Sequence, residues 1–189
     1  TLPPARGDGA PASSLVDVQE GARIAQCLAG KPESTVLVAS TGGYGFVTKL
    51  ADMVSNRRAG RDFMSLKEGD TPVAPFVYDE VPGNHAVAIS ENGRMLAVTL
   101  DDIGYLARGR GVVIMGLDQG EKMMGVAVTA KRAIVVKGTG RGGKEKEIRI
   151  AGSDFTPYIG NRGNKGRVLP EKIKPISLAL TRAASGEPE

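Results

Sequence analysis

The chain of 189 residues has no tryptophan, one cysteine and one histidine, and only four tyrosines and four phenylalanines. The single thiol, Cys27, cannot form an internal disulfide or a cysteine metal cluster, which is compatible with a reducing compartment such as the cytoplasm. His85 lies in a different part of the chain. The sequence therefore predicts no serine or cysteine triad and no zinc site.

Long apolar stretches are also missing. No apolar run reaches the length of about 18 residues that a membrane-spanning helix needs, and the N-terminus lacks a charged region followed by an apolar one. The sequence thus predicts a soluble chain with neither a membrane span nor a signal peptide. Its 26 glycines and 11 prolines favour many short strands joined by tight turns over long helices.

A repeat of about 50 residues organises the sequence, and such a period indicates stacked similar units. The first three copies place an arginine three residues before an anchor glycine and a leucine six residues after it. The fourth copy keeps the basic, glycine-rich half but has its leucine three residues after the glycine. The anchor glycines are Gly9, Gly60, Gly111 and Gly166. A second set of anchors runs in phase, with Ser40, Gly43 and Leu50 matched by Ser90, Gly93 and Leu100.

Each repeat contains about four strand candidates, which is the blade pattern of propeller-like proteins. Hairpins are indicated by turns such as Asn92-Gly93, and a longer basic connection is expected over 137–146. The predicted interior strands are Val36–Ala39, Val87–Ile89 and Ile134–Val136. The fold class predicted is all-β, as one domain over 1–182 followed by a flexible tail at 183–189. The repeats are expected at about 1–30, 31–82, 83–130 and 131–180, and the chain is expected to begin partway through a repeat.

The net charge of +4 is unevenly distributed. Residues 1–130 carry 12 Lys and Arg against 15 Asp and Glu, a balance of −3, whereas residues 131–182 carry 13 against 4, a balance of +9. A concentrated basic surface is typical of proteins that bind polyanions. The alternative is a basic surface that is merely solvated.

The glycine- and arginine-rich loops at the anchors are the main candidate binding elements. Glycine lets the backbone approach a phosphate closely, and arginine offers a planar fork of donors that matches phosphate oxygens. The alternative is that these loops only turn the chain at the corner of a blade. A further stretch, Gly138–Lys144, fits the G-x-x-x-x-G-K pattern, but Glu145 stands where a P-loop needs Ser or Thr and a strand is predicted next, so a nucleotide site is not expected.

The repeat, the loops ARGDG, NRRAGR, ARGRG and GNRGNKG, and the segments GYGFVTKLADMVSNRRAG and SENGRMLAVTLDDI resemble a known family. They are similar to the C-terminal domain of the A subunit of bacterial DNA topoisomerase IV (ParC), which is related to that of the gyrase A subunit. The resemblance implies a β-pinwheel, in which four-stranded Greek-key blades exchange a strand and present a basic rim to duplex DNA. None of the four loops spells the gyrase box QRRGGKG. Topoisomerase IV is therefore favoured, with a gyrase wrapping domain or a protein-interaction propeller as alternatives.

The resemblance also implies the role of the chain within a larger enzyme. It would be the non-catalytic arm of an ATP-dependent type IIA topoisomerase, binding and bending DNA for strand passage, decatenation and relaxation of supercoils. The catalytic tyrosine, ATP and Mg²⁺ belong to other domains or subunits, so no cofactor is expected in this chain. The implied partners are duplex DNA, the B subunit (ParE) and a second A subunit, with no small-molecule substrate, in the cytoplasm and on the chromosome. None of the tyrosines is expected to be a nucleophile: Tyr44, Tyr78, Tyr105 and Tyr158.

The distribution of acids along the sequence predicts a ranking of the basic loops. Loops 56–61 and 106–111 have acids nearby in sequence, whereas none occurs between Asp154 and Glu171, so loop 160–166 is expected to bind DNA most strongly. Basic residues at 131, 132, 141 and 144 are expected to add to the same field. The predicted DNA-binding residues are Arg57, Arg58, Arg61, Arg108, Arg110, Lys131, Arg132, Arg141, Lys144, Arg162, Lys165 and Arg167.

Overall fold

Short strands dominate the regular structure. The computed structural model describes residues 11, 14, 16–18, 20–57, 59–78, 80 and 84–180; the predicted tail at 183–189 and much of the first partial repeat lie outside these ranges. The strands are β1 (Thr35–Ala39), β2 (Tyr44–Lys49), β3 (Phe76–Tyr78), β4 (His85–Ser90), β5 (Arg94–Thr99), β6 (Val112–Val113), β7 (Met123–Thr129), β8 (Ala133–Thr139), β9 (Glu145–Ala151), β10 (Arg167–Val168) and β11 (Lys174–Leu180).

In the described part of the chain, helical structure is confined to single turns. One helix of four residues, α1 (Leu50–Met53), follows β2. The 3-10 turns that lie wholly within the described residues are Leu100–Asp102, Arg141–Gly143, Gly152–Asp154, Thr156–Tyr158 and Pro170–Lys172. No helix in the described ranges is long and apolar enough to cross a membrane.

Three antiparallel hairpins form the centres of three sheets. Strand β1 pairs with β2, β4 with β5, and β8 with β9. The predicted interior segments lie in β1, β4 and β8, and each of these strands has a neighbour on both sides. The three interior strands expected from the sequence are therefore confirmed.

The connection between β8 and β9 is shorter than the sequence indicated. The expectation of a connection over 137–146 is wrong, because β8 continues to Thr139 and β9 begins at Glu145. The basic character of this stretch did not prevent strand pairing, since exposed side chains on the outer face of a hairpin can remain solvated. The strand predicted after Lys144 is present, in keeping with a hairpin rather than a P-loop.

Successive units exchange a strand. The first sheet has the order β3-β1-β2-β6, and the second has the order β10-β5-β4-β7. Strand β6 follows the second hairpin in sequence but completes the first sheet, and β10 follows the third hairpin but completes the second sheet. After each exchanged strand, the chain returns to its own unit: β7 pairs with β4, and β11 pairs with β8. The third sheet, β11-β8-β9, has no described strand at the place that β6 and β10 fill in the others.

Strand β4 in the second sheet is buried on both faces. Alternate side chains of β4 enter different apolar clusters: Ala86 and Ala88 pack with residues of the first sheet, and Val87 and Ile89 pack with residues of the third. Successive side chains of a strand point to opposite faces, so a strand between two sheets needs apolar residues at every position. This explains why β4 is an almost continuous apolar run.

Two of the anchor glycines directly precede the exchanged strands β6 and β10. Gly111 and Gly166 have φ values of 78° and 74°, in the left-handed region that favours glycine. A Cβ atom at Gly111 would collide with the carbonyl oxygen of Gly45 in β2, and one at Gly166 would collide with that of Met95 in β5. At these two positions the backbone therefore closely approaches the preceding sheet, while the approach of a phosphate to the loops stays a prediction.

Replacing the anchor glycines by alanine should separate backbone strain from collision. At Gly60 (φ 72°) an added Cβ would meet nothing within 4 Å, so Gly60→Ala should lower the free energy of unfolding by about 1 kcal/mol, from the left-handed conformation alone. Gly111→Ala and Gly166→Ala should each lower it by about 3 kcal/mol or more, because the strand must also shift. Urea unfolding measures all three, and equal losses would contradict this account.

Candidate nucleic-acid interface

Two of the basic loops occupy equivalent places in consecutive units. Loop 106–111 begins beside β2, where Tyr105 forms a parallel bridge with Val47, and it ends at β6. Loop 160–166 begins beside β5, where Ile159 forms a parallel bridge with Ala97, and it ends at β10. Each loop is therefore fixed at both ends to the preceding unit, at the second strand of that unit's hairpin.

The loops are also connected to one another in a row. In the first contact, Gly109 N–H donates to Phe63 O at 2.8 Å, and Ser65 N–H donates to Gly109 O at 2.9 Å. The second contact repeats this pattern: Gly163 N–H donates to Ile114 O, and Gly116 N–H donates to Asn164 O, both at 2.9 Å. Loop 106–111 is thus held against the residues that follow loop 56–61, and loop 160–166 against the residues that follow loop 106–111. We call these three loops the basic row.

Most of the predicted binding residues on the basic row are exposed. Arg110 is half-buried, and Arg58 lies outside the described residues. The exposed side chains could all be reached by a polyanion lying along the row. They are Arg57, Arg61, Arg108, Arg162, Lys165 and Arg167, the last being the first residue of β10.

The other predicted cations lie around the two ends of β8. Lys131 and Arg132 lie in the turn before β8, whereas Lys144 lies beyond its far end, and the side chain of Arg141 is outside the described part. At about 3.3 Å per residue, the seven residues of β8 span roughly 20 Å. That is more than twice the Debye length of about 8 Å at physiological salt. Lys131 and Lys144 therefore do not share one local field, and the addition of these cations to the field of loop 160–166 stays a prediction.

An acid that is remote in sequence contacts loop 160–166. The carboxylate of Asp118 accepts hydrogen bonds from Lys165 Nζ and from Arg94 Nη2, the latter at 2.7 Å. These two contacts, with Lys165 first, hold the pKa of Asp118 below its ordinary value. The buried carboxylate of Glu121 lies 3.8 Å from Arg94 Nη1. The expectation that loop 160–166 is free of acidic neighbours is thus wrong for Lys165.

Beside loop 106–111, the cations contact an aromatic ring instead of carboxylates. The guanidinium of Arg110 lies over the ring of Tyr44, 3.7 Å from its centroid, and Lys67 Nζ lies 5.5 Å from the same centroid. Both are cation–π contacts, which tend to be stronger at partly desolvated sites. Among the described residues, neither cation has a carboxylate within ion-pairing distance. Arg110 Nη2 is buried there without a hydrogen-bond partner, so stacking rather than pairing positions this guanidinium.

Sequence reasoning did not single out four of these residues as members of the site: Tyr44, Lys67, Arg94 and Asp118. The repeat contained the necessary signal. Tyr44 and Arg94 directly follow Gly43 and Gly93, and Lys67 and Asp118 each stand seven residues after an anchor glycine. We call Tyr44, Lys67, Asp70 and Arg110 the first junction, and Arg94, Asp118, Glu121 and Lys165 the second junction.

The described residues contain no arrangement typical of a catalytic centre. His85 is buried and lies edge-on to Phe155, with ring centroids 6.0 Å apart, while Cys27 is exposed. Burial raises the pKa of Tyr78 and of Tyr158, which is opposite to what a nucleophilic tyrosinate needs. No group of three metal-ligating side chains occurs in this part of the chain.

Comparison with known proteins agrees with this architecture. The family model for the DNA gyrase C-terminal domain, a β-propeller, matches residues 34–78 and 84–130. The chain belongs to this family. The matched segments contain the hairpins and returning strands of the first two sheets, and the family resemblance stated from the sequence is confirmed.

The chain is similar to A subunits of topoisomerase IV. The DNA topoisomerase 4 A subunit of Neisseria gonorrhoeae is 37% identical over 173 residues, which cover 89% of the chain but 22% of that relative. The chain thus spans about a fifth of the length of this curated relative. The solved C-terminal domain of E. coli ParC superposes with a TM-score of 0.81 at 24% identity, covering 95% of this chain and 74% of that one.

A solved gyrase A C-terminal domain has a TM-score of 0.61 at 14% identity, covering 80% of this chain and 50% of that one. At these identities the solved structures show the fold alone. The predicted all-β pinwheel class is confirmed, and the gyrase alternative is the less favoured one.

The contacts of Asp118 predict how its carboxyl group titrates. Its pKa should lie below the ordinary value of 3.8 and should rise towards it in Lys165→Ala, and less strongly in Arg94→Ala. Because the folded pKa is lowered, the favourable contribution of the carboxylate is present above the unfolded pKa and is lost as pH falls through the folded one. Carbon-detected NMR titration of the Asp118 carboxyl measures this. Lys31→Ala serves as a distant control, and an unchanged Asp118 pKa in Lys165→Ala would show that the contact is absent in solution.

Proposed function

We propose that this chain is a DNA-binding C-terminal domain of a topoisomerase IV A subunit. The basic row carries the proposal, because it places exposed arginines from three consecutive units along one connected series of loops. Membership of the gyrase C-terminal domain family and the relatives named as topoisomerase 4 A subunits support the same function.

The proposed binding mode is contact with phosphates rather than with base edges. The side chains along the row are mainly arginine and lysine on short loops, and no helix in the described residues exceeds four residues. Neither a short loop nor a single helical turn can enter a major groove as a recognition helix does. Contacts spread over several units would hold a duplex in a bent path and position it for strand passage.

The larger enzyme supplies the remaining functions in this proposal. Breakage of DNA, ATP hydrolysis and Mg²⁺ binding belong to other domains or to the B subunit, ParE. A second A subunit completes the enzyme. The site of action is the bacterial chromosome in the cytoplasm, where decatenation and relaxation of supercoils take place.

Two alternatives remain for comparison. A gyrase-type domain would wrap DNA with a fixed hand, but none of the loops spells QRRGGKG, and the nearest, NRRAGR at 56–61, has Ala59 in place of a glycine. A protein-interaction module would bind a partner on apolar faces. The facing sides of the described sheets instead pack against one another, and the outer side of the first sheet packs against α1 and the segment at 63–64.

Salt dependence tests the proposed function. Phosphate contacts release counterions, so the logarithm of DNA affinity should fall with the logarithm of salt concentration by about 0.9 for each contact. Arg108→Ala should lower that slope by about 0.9 and weaken binding equally for duplexes of different sequence, because a phosphate contact carries no base information. Fluorescence anisotropy with linear duplexes measures both. A slope near zero would favour a protein-interaction module.

The isolated chain should also lack enzymatic activity. We expect it to bind supercoiled plasmid without relaxing or cleaving it, with ATP and Mg²⁺ present, because the described residues contain no catalytic arrangement. Gel electrophoresis of the plasmid provides the measurement, with complete topoisomerase IV as the positive control. Relaxation by the chain alone would contradict the proposed division of roles.

A further inference from the structure

The two junctions of the basic row can be compared position by position. Arg110 and Lys165 each directly precede an anchor glycine, Lys67 and Asp118 each follow one by seven residues, and Asp70 and Glu121 each follow one by ten. Tyr44 and Arg94 complete the correspondence as the first residues of β2 and β5. The repeat therefore places different side chains in the same local geometry.

The charge at the two junctions differs. At the first junction two cations and one carboxylate leave a formal charge of +1; at the second, two cations and two carboxylates cancel. The carboxylate of Asp70 lies over Gly42 and makes no ion pair with Lys67 or Arg110, whereas Asp118 pairs with both cations of its own junction. A paired cation has part of its charge neutralised before any phosphate arrives.

The cations of the first junction are also better positioned to bind a phosphate than those of the second junction. Tyr44 stacks on the Arg110 guanidinium and fixes its plane. Because Nη2 is buried there, an anion would be bound by the remaining donors of this half-buried side chain. The exposed side chain of Lys67 extends towards the same ring. At the second junction, Lys165 would have to give up its contact with Asp118 in order to bind a phosphate equally well.

Resting on the proposed DNA-binding function, we propose that Lys67 and Arg110, supported by Tyr44, form a phosphate-binding pair that grips DNA more strongly than the second junction does. Asp118 is the residue that weakens the second junction. This reverses the ranking expected from the local sequence, in which loop 160–166 was the stronger one. Lys67 is a new member of the binding surface, and Asp118 acts as a negative determinant on it.

Reciprocal substitutions in the full chain test this inference, with a linear duplex of mixed sequence as the probe. Lys67→Ala and Arg110→Ala should each reduce the salt slope by about 0.9, which corresponds to about a 3.5-fold change over a fourfold rise in salt. Lys67→Asp, which gives the first junction the acid of the second, should weaken binding further. Asp118→Asn should strengthen binding and raise the slope by about 0.9 by releasing Lys165.

Matched variants separate charge from folding. Lys31→Ala removes an exposed lysine at the opposite end of β1 and should leave DNA affinity unchanged. Tyr44→Phe preserves the stacked ring and should bind as the original does, whereas Tyr44→Ala should weaken binding by releasing Arg110. In the double variant Asp118→Asn with Lys165→Ala, the gain from Asp118→Asn should disappear. Thermal unfolding of each variant identifies any that lose stability.

The outcomes distinguish this inference from the proposed function. If the original chain shows no salt-dependent DNA binding, the proposed function itself fails. If it binds with a steep slope but Lys67→Ala and Arg110→Ala match Lys31→Ala, the first junction is not a phosphate site and this inference alone is overturned. If Asp118→Asn leaves affinity unchanged or lowers it, Asp118 does not weaken the second junction.

Discussion

Exchange of one short strand between successive units is the interaction on which the rest of the structure depends. Ile114 N–H donates to Gly43 O at 2.8 Å, and Leu169 N–H donates to Gly93 O at 2.7 Å, so β6 and β10 are each tied to the hairpin turn of the preceding unit. Ile114 and Leu169 are buried, and each stands three positions after an anchor glycine. Because main-chain hydrogen bonds and apolar side chains both cross the boundary, neighbouring units stabilise each other, as in other repeat proteins.

The strand exchange also positions the basic loops. A chain that leaves its own hairpin to complete the preceding sheet must cross the boundary between them, and the crossing segment is the glycine- and arginine-rich loop. The loop is short and hydrogen-bonded at both ends, so its arginines are carried on a fixed backbone at each crossing. A connected row of cations is therefore a consequence of how the sheets are completed.

One difference in residue type changes the electrostatics of two otherwise similar crossings. Lys67 and Asp118 occupy corresponding positions, and each lies beside the cation that precedes the next anchor glycine. At one crossing that cation stacks on Tyr44, and at the other it shares a carboxylate with Arg94. A repeat architecture can thus keep a constant backbone while the charge varies from unit to unit.

The sequence by itself determined the fold class and the period. The in-phase glycines, the Asn-Gly turn and the apolar runs of β1, β4 and β8 are local signals, because turn chemistry and burial of a strand act over a few residues. The tertiary structure alone decided which cations are neutralised. Asp118 and Lys165 are far apart in the chain but meet because β6 leaves its own unit, and Lys131 and Lys144 are close in sequence but lie beyond opposite ends of β8. Electrostatic interactions depend on distance in space, and strand exchange makes that distance differ from separation along the chain.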